Sequence, residues 1–187
     1  MIYLIRHMQS EANLKHIAGG DYPLTDEGFN EAKRLKTKIE IKPDLLVVSP
    51  LMRALQTANI LFPEKEFIID HDFREIHFGD YENTLMEDNE FLRMYNTHPS
   101  RLHEITHGDV IKERANKAII KILDYFTKGE IVIVCHDTLM RAIICRLKGV
   151  SLDDMPKYKP LLTNGSILKL DLSTTMEIMN DTDKIII

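Results

Sequence analysis

Three times in this chain a short apolar run is followed, at once or within five residues, by a basic or imidazole side chain. Residues 2–5 (Ile-Tyr-Leu-Ile) lead into Arg6-His7. Residues 44–48 (Asp-Leu-Leu-Val-Val) are followed by Arg53. Residues 130–135 (Glu-Ile-Val-Ile-Val-Cys) end at His136. Runs of this length without alternation are what strands covered on both faces look like. Amphipathic stretches separate them. Thr25 predicts the cap of a helix with Phe29, Ala32, Leu35 and Ile39 on one face. Ser49-Pro50 predicts a cap and first-turn proline for a helix through about residue 61. Residues 109–126 predict a long helix with Ile111, Ala115, Ala118, Ile119, Ile122 and Phe126 on one side, and residues 137–147 another. Glu66–Asp70 reads as a further strand. Leu168, Leu170 and Leu172 alternate with Lys169 and Asp171, which predicts a half-exposed closing strand. Strand alternating with helix implies α/β architecture, a three-layer sandwich with a largely parallel central sheet flanked by helices.

At 187 residues the chain fits one domain, 1–187, with a polar, weakly helical excursion at about 77–110. The net charge of -5 argues against a nucleic-acid partner, which needs clustered positive charge. The apolar start is too short for a signal segment or membrane span, so no membrane partner is expected. Cys135 and Cys145 form no disulfide framework, which favours a reducing, cytoplasmic setting. Monomer and homodimer are equally compatible with the sequence.

In open α/β sheets, ligands bind beyond the carboxyl ends of the strands. Two arginines and two histidines gathered there suit an anion, most simply a phosphoryl group. Two other patterns compete. His103-Glu104-Ile105-Thr106-His107 has the spacing of a zinc-protease helix, but Pro99-Ser100 lies just upstream and Gly108 ends it. Its plainer reading is a polar connector near the site, with His107 within reach of substrate. Cys135 and Arg141 have the spacing of cysteine-dependent phosphatases, yet the intervening loop lacks glycine, so Cys135 reads as a small buried residue.

Five blocks in order resemble the histidine phosphatase superfamily (phosphoglycerate mutase-like): Leu4–Asn13, Pro23–Gly28, Ser49–Ala58, Arg74–Glu82, and Cys135-His136 through Arg141-Ala142. The resemblance implies a phosphomonoesterase in which His7 takes the phosphoryl group. Arg6, Arg53 and His136 then hold its oxygens, and Glu75 is the proton donor in preference to Glu82. Asn13, Gly19 and Gly20 match phosphate- and substrate-binding positions. Arginine and histidine supply the positive charge, so neither metal nor cofactor is expected, and the partner is a small phosphorylated metabolite. A phosphoglycerate mutase-type transfer and a non-catalytic phospholigand-binding protein are the alternatives. Four residues depart from the pattern: Met8, Asn83 and the pair Asp137-Thr138, which stands where Gly-Gly is common. Met8 stands where glycine is usual and predicts backbone strain. Asn83 replaces another glycine, a milder change because Asn tolerates the left-handed region. Asp137 also lies beside the substrate site, where it either adds negative charge or, preferably, caps the helix that follows.

Overall fold

The computed structural model describes residues 1–87, 89–170, 176–179 and 184–186. The first apolar run forms β1 (Ile2–Arg6), followed by the one-turn helix α1 (Glu11–Leu14) and by α2 (Asp26–Lys36). Then come β2 (Leu45–Val48), α3 (Met52–Leu61) and β3 (Phe67–Ile69). Helices α4 (Glu90–Thr97) and α5 (His103–Thr106) occupy the polar stretch before α6 (Ile111–Tyr125). The chain continues through β4 (Ile131–Cys135), α7 (Asp137–Lys148), β5 (Ile167–Leu170), β6 (Met176–Met179) and β7 (Lys184–Ile186).

The strands make one sheet in the order β3-β2-β4-β1-β5-β6-β7. Strands β3, β2, β4 and β1 are parallel, whereas β5, β6 and β7 add antiparallel pairs at one side. Strand β4 shows why the chain folds in three layers. Its five residues are all fully buried, and successive side chains leave on opposite faces. Ile131, Ile133 and Cys135 join the cluster containing Ala115, Ala118 and Ile122 of α6 and Leu139 and Ile143 of α7. Val132 and Val134 join Ala32 of α2 and Ala54 and Ala58 of α3. Alanines at these positions let each helix lie close to the sheet. Burial stabilises each large aliphatic side chain by roughly 1.5–3 kcal/mol.

Thr25 caps α2 as expected, accepting from the Gly28 amide at 2.9 Å. Other local expectations are corrected. The helix after β2 starts at Met52 with Leu51 at its N-cap, so Ser49 is not its cap residue; of the backbone donors there it accepts only the Leu51 amide, ahead of the first helical residue. The strand at Ile167–Leu170 keeps the expected alternation, with Leu168 and Leu170 buried and Lys169 partly exposed, but Ile167 is buried as well and β6 pairs along it, so it does not close the sheet. Its expected continuation, Asp171 and Leu172, lies outside the described residues. Phe126 falls beyond α6 and is 38% exposed, because the helix ends at Tyr125. Because β1, β2 and β4 are parallel and adjacent in the sheet, residues 6–7, 49 and 136 emerge together at one edge.

Candidate active site

His7 sits immediately after β1, held by its amide donating to the Cys135 carbonyl at 3.1 Å. Its side chain is buried, 3% exposed. Nδ1 lies 2.7 Å from the Met8 carbonyl oxygen. A carbonyl only accepts, so Nδ1 carries the hydrogen and Nε2 presents its lone pair. That lone pair receives the Arg53 Nε hydrogen at 3.1 Å. Burial, then Arg53, then Arg6 hold the His7 pKa well below the ordinary histidine value, against a smaller upward pull from the Met8 bond. Each cause except the last disfavours imidazolium. The ring is therefore neutral at pH 7, as a nitrogen nucleophile requires.

Arg53 lies in the first turn of α3, and its Nη1 donates to the Gly20 carbonyl at 2.6 Å. Gly19 and Gly20 have φ of +62° and +72°. A Cβ on Gly20 would stand 2.3 Å from Asn83 Oδ1 and from the Tyr22 ring, and one on Gly19 2.3 Å from the Glu82 carboxylate. Glycine is needed there for both dihedral and space. Arg6, the last residue of β1, donates Nη1 to the Leu162 carbonyl and stands 3.7 Å from Asp137 Oδ1. His136, the N-cap residue of α7, is fully buried, with its ring centroid 5.1 Å from that of His7. Burial, then Arg53, His7, Arg6 and Arg74, push its pKa well down. Its Nε2 lies 2.6 Å from Ser49 Oγ.

Glu75 reaches the start of α7. Its Oε2 accepts from the Thr138 amide at 3.1 Å, and its Oε1 accepts from the amides of Leu139 at 3.1 Å and Ile76 at 2.9 Å. It thereby satisfies helix N–H groups that otherwise lack partners. Burial nonetheless raises its pKa, Asp137 adds to the rise, and the Ile76 and Thr138 amides and Arg53 only oppose it. A carboxyl whose proton is retained to higher pH thus stands on the same edge as a neutral imidazole, the kind of separation that acid–base chemistry uses. Asn13 closes a capping box with Ser10 and accepts from Asn164 Nδ2 at 3.2 Å.

Residues 2–181 match the histidine phosphatase superfamily, branch 1. The chain belongs to that superfamily. A phosphoserine phosphatase from Entamoeba histolytica, solved with 3-phosphoglyceric acid, is 25% identical and superposes with a TM-score of 0.78 over 99% of this chain and 93% of its own. The alpha-ribazole phosphatase from Shigella flexneri is 26% identical, with a TM-score of 0.75 over 91% of each chain. A 2,3-bisphosphoglycerate-dependent phosphoglycerate mutase from Methylobacterium sp. is 28% identical over 98% of both chains.

Within this histidine phosphatase the departures resolve individually. Met8 is not strained: among the described non-glycine residues positive φ falls at His16, Asn83 and His107. Its amide donates to Thr57 Oγ1 at 3.0 Å. Its side chain is instead accommodated by Gly165, where a Cβ would come within 2.8 Å of the Met8 sulfur. Asn83 does adopt the left-handed region, with φ of 65°. Asp137 does not cap α7. His136 holds the N-cap position without a side-chain bond, and Glu75 meets the free amides. The Asp137 carboxylate turns one helical turn forward to Arg141, 2.9 Å away, and sideways to Arg6.

The two competing motifs come apart. Helix α5 ends at Thr106 and His107 is left-handed, so the two histidines do not share a helix face. His107 pairs in solvent with Asp80 at 2.7 Å. Cys135 is fully buried in the layer under α6 and α7, and burial pushes its thiol pKa far up, away from thiolate. Arg141 is committed to Asp137 and Tyr95. Glu82 is likewise occupied, accepting from the amides of Gly20 at 2.6 Å and Phe78 at 2.8 Å. Two residues at the site escaped sequence reasoning. Ser49 looked like a cap. Asn164, whose Nδ2 donates to the His7 carbonyl at 2.9 Å, lies in a loop with no periodic signal to attract notice.

Proposed function

We propose that this histidine phosphatase hydrolyses small phosphate monoesters through a phosphohistidine at Nε2 of His7. The observation that carries the reading is the buried, neutral His7 ring, its Nδ1 hydrogen given to Met8 and its lone pair facing Arg53. When an ester enters, Arg53 turns from the imidazole to the phosphoryl oxygens, joined by Arg6 and His136. Nε2 attacks phosphorus as the P–O bond to the leaving group breaks, and Glu75 gives its proton to the departing oxygen. Glu75, now ionised, takes a proton from water, which attacks phosphohistidine and frees phosphate. Asn13 and the Gly19-Gly20 loop border the substrate.

The relatives act on phosphoserine and alpha-ribazole phosphate according to their names, which supports a small phosphorylated metabolite here. A reducing, cytoplasmic setting is supported by two free, buried cysteines. Among the described residues, no helix is long and apolar enough to cross a membrane. The mutase relative keeps transfer between positions of a phosphoglycerate as the second reading.

Phosphate release from an aryl phosphate in excess EDTA tests the mechanism. Wild type and Cys135→Ser should turn over, and His7→Ala should not. Activity in His7→Ala, or its loss in Cys135→Ser with fold retained, would remove His7 as the nucleophile. Positional transfer with little phosphate release would favour the mutase reading.

A further inference from the structure

We propose that Ser49 fixes the tautomer of His136, so that His136 presents an Nδ1–H donor to the transferring phosphoryl group. The inference rests on the phosphohistidine reading and assigns a positioning residue to it.

Strands β2 and β4 are paired in parallel register, with Val48 opposite Val134. The Ser49 amide donates to the Val134 carbonyl at 3.0 Å. Ser49 and His136 therefore stand just beyond the ends of neighbouring strands, both fully buried. Among the described residues Ser49 Oγ has two polar neighbours: the Leu51 amide, which donates to it at 3.3 Å, and His136 Nε2 at 2.6 Å.

Hydrogen counting separates the two tautomers. If Nε2 carried the hydrogen, Oγ would accept twice and its own hydrogen would have no acceptor in a fully buried place. Leaving a buried donor without an acceptor is unfavourable. If the hydroxyl donates to Nε2, both of its contacts are used correctly and the ring hydrogen must sit on Nδ1. Among the described residues no protein group accepts from His136 Nδ1, although it is buried. It is the one ring nitrogen left to meet a phosphoryl oxygen.

The two histidines then share a tautomer but offer opposite ends. His7 spends Nδ1–H on Met8 and offers the Nε2 lone pair for the new N–P bond. His136 spends its Nε2 lone pair on Ser49 and offers Nδ1–H. That hydrogen is shared with the phosphoryl oxygen and is not transferred; the proton reaching the leaving group comes from Glu75.

Long-range 1H–15N spectra of protein labelled with [15N]histidine test this, with His136→Gln used for assignment. Wild-type His136 should show Nδ1 protonated and Nε2 bare. Ser49→Ala should lose that signature and lower kcat on an aryl phosphate by about 10–100-fold, a part of what losing a whole charge-stabilising donor costs. Ser49→Thr, which keeps the hydroxyl, should restore the signature and the rate. A wild-type His136 protonated on Nε2 overturns the proposal without need of any variant. So does a folded Ser49→Ala with kcat within about twofold of wild type. Trapping of phosphate on wild-type His7 is scored separately, so failure of the phosphohistidine reading is not confused with failure of the Ser49 assignment.

Discussion

Glu75 receives opposing influences from its surroundings. Burial and Asp137 favour its protonated form, while the Ile76 and Thr138 amides and Arg53 favour the carboxylate. A group so balanced suits a proton that must leave in one step and return in the next. If it protonates the leaving group, its removal matters most for alkoxide leaving groups. Glu75→Gln should slow kcat/KM for an alkyl phosphate by roughly 10²–10⁴-fold and for a nitrophenyl phosphate far less. Equal losses on the two esters would mean that Glu75 acts on something other than the leaving oxygen. Folded Glu75 has a raised pKa, so its stability contribution is complete below its unfolded value and declines as pH rises through the folded one.

At the scale of elements, α7 joins the site to the helical segment before α6. Its Arg141 is 1% exposed and contacts Asp137 Oδ2, the Tyr95 hydroxyl and the Tyr95 ring face, 5.2 Å from guanidinium carbon to centroid. The Tyr95 hydroxyl also meets Thr138 Oγ1 at 2.9 Å. Removing one partner of such a pair strands the other. Arg141→Leu should cost about 3–5 kcal/mol, read as a lower urea midpoint. Asp137→Ala combined with Arg141→Leu should cost less than the sum of the two single changes, the mark of direct coupling. No coupling in that cycle would dismiss the pair as a structural unit. This element also shows where sequence legibility stops. The periodicity of α7 and the His136 that precedes it are visible in the primary structure. The carboxylate that caps it is not, because Glu75 arrives from 63 residues away. Asp137 looked like a cap because it stands in the first turn, but the buried Arg141, with Arg6 beside it, draws it away. Ser49 misled for the same reason: Ser-Pro before a helix is a local signal, and the nearby imidazole of the next strand overrides it.

At the scale of the whole molecule, two buried histidines are held neutral, and this links stability to pH. Both folded pKa values lie below the ordinary one. Their stability contribution is complete above the unfolded value near 6.5 and lost as pH falls through the interval below it. Each proton taken up only by the unfolded chain costs about 1.4 kcal/mol per pH unit, with Glu75 offsetting part. The urea midpoint of wild type should drop between pH 7 and pH 5.5, and His7→Asn with His136→Asn should flatten that slope. A flat wild-type profile would contradict the neutral-imidazole assignment. The general plan, apolar strands ending in reactive side chains, was readable because strand burial and period are local properties of the chain. The sheet order was not, and it governs when the site exists. Strand β1 has β4 on one side and β5 on the other, so Ile2 pairs with both Ile131 and Leu170, and Asn164 secures the His7 carbonyl. Contacts so distant in sequence slow folding. During synthesis His7 leaves the ribosome long before Asn164 and β5, so its setting is complete only after they have followed. A nascent chain lacking that strand has its histidine and no site to hold it.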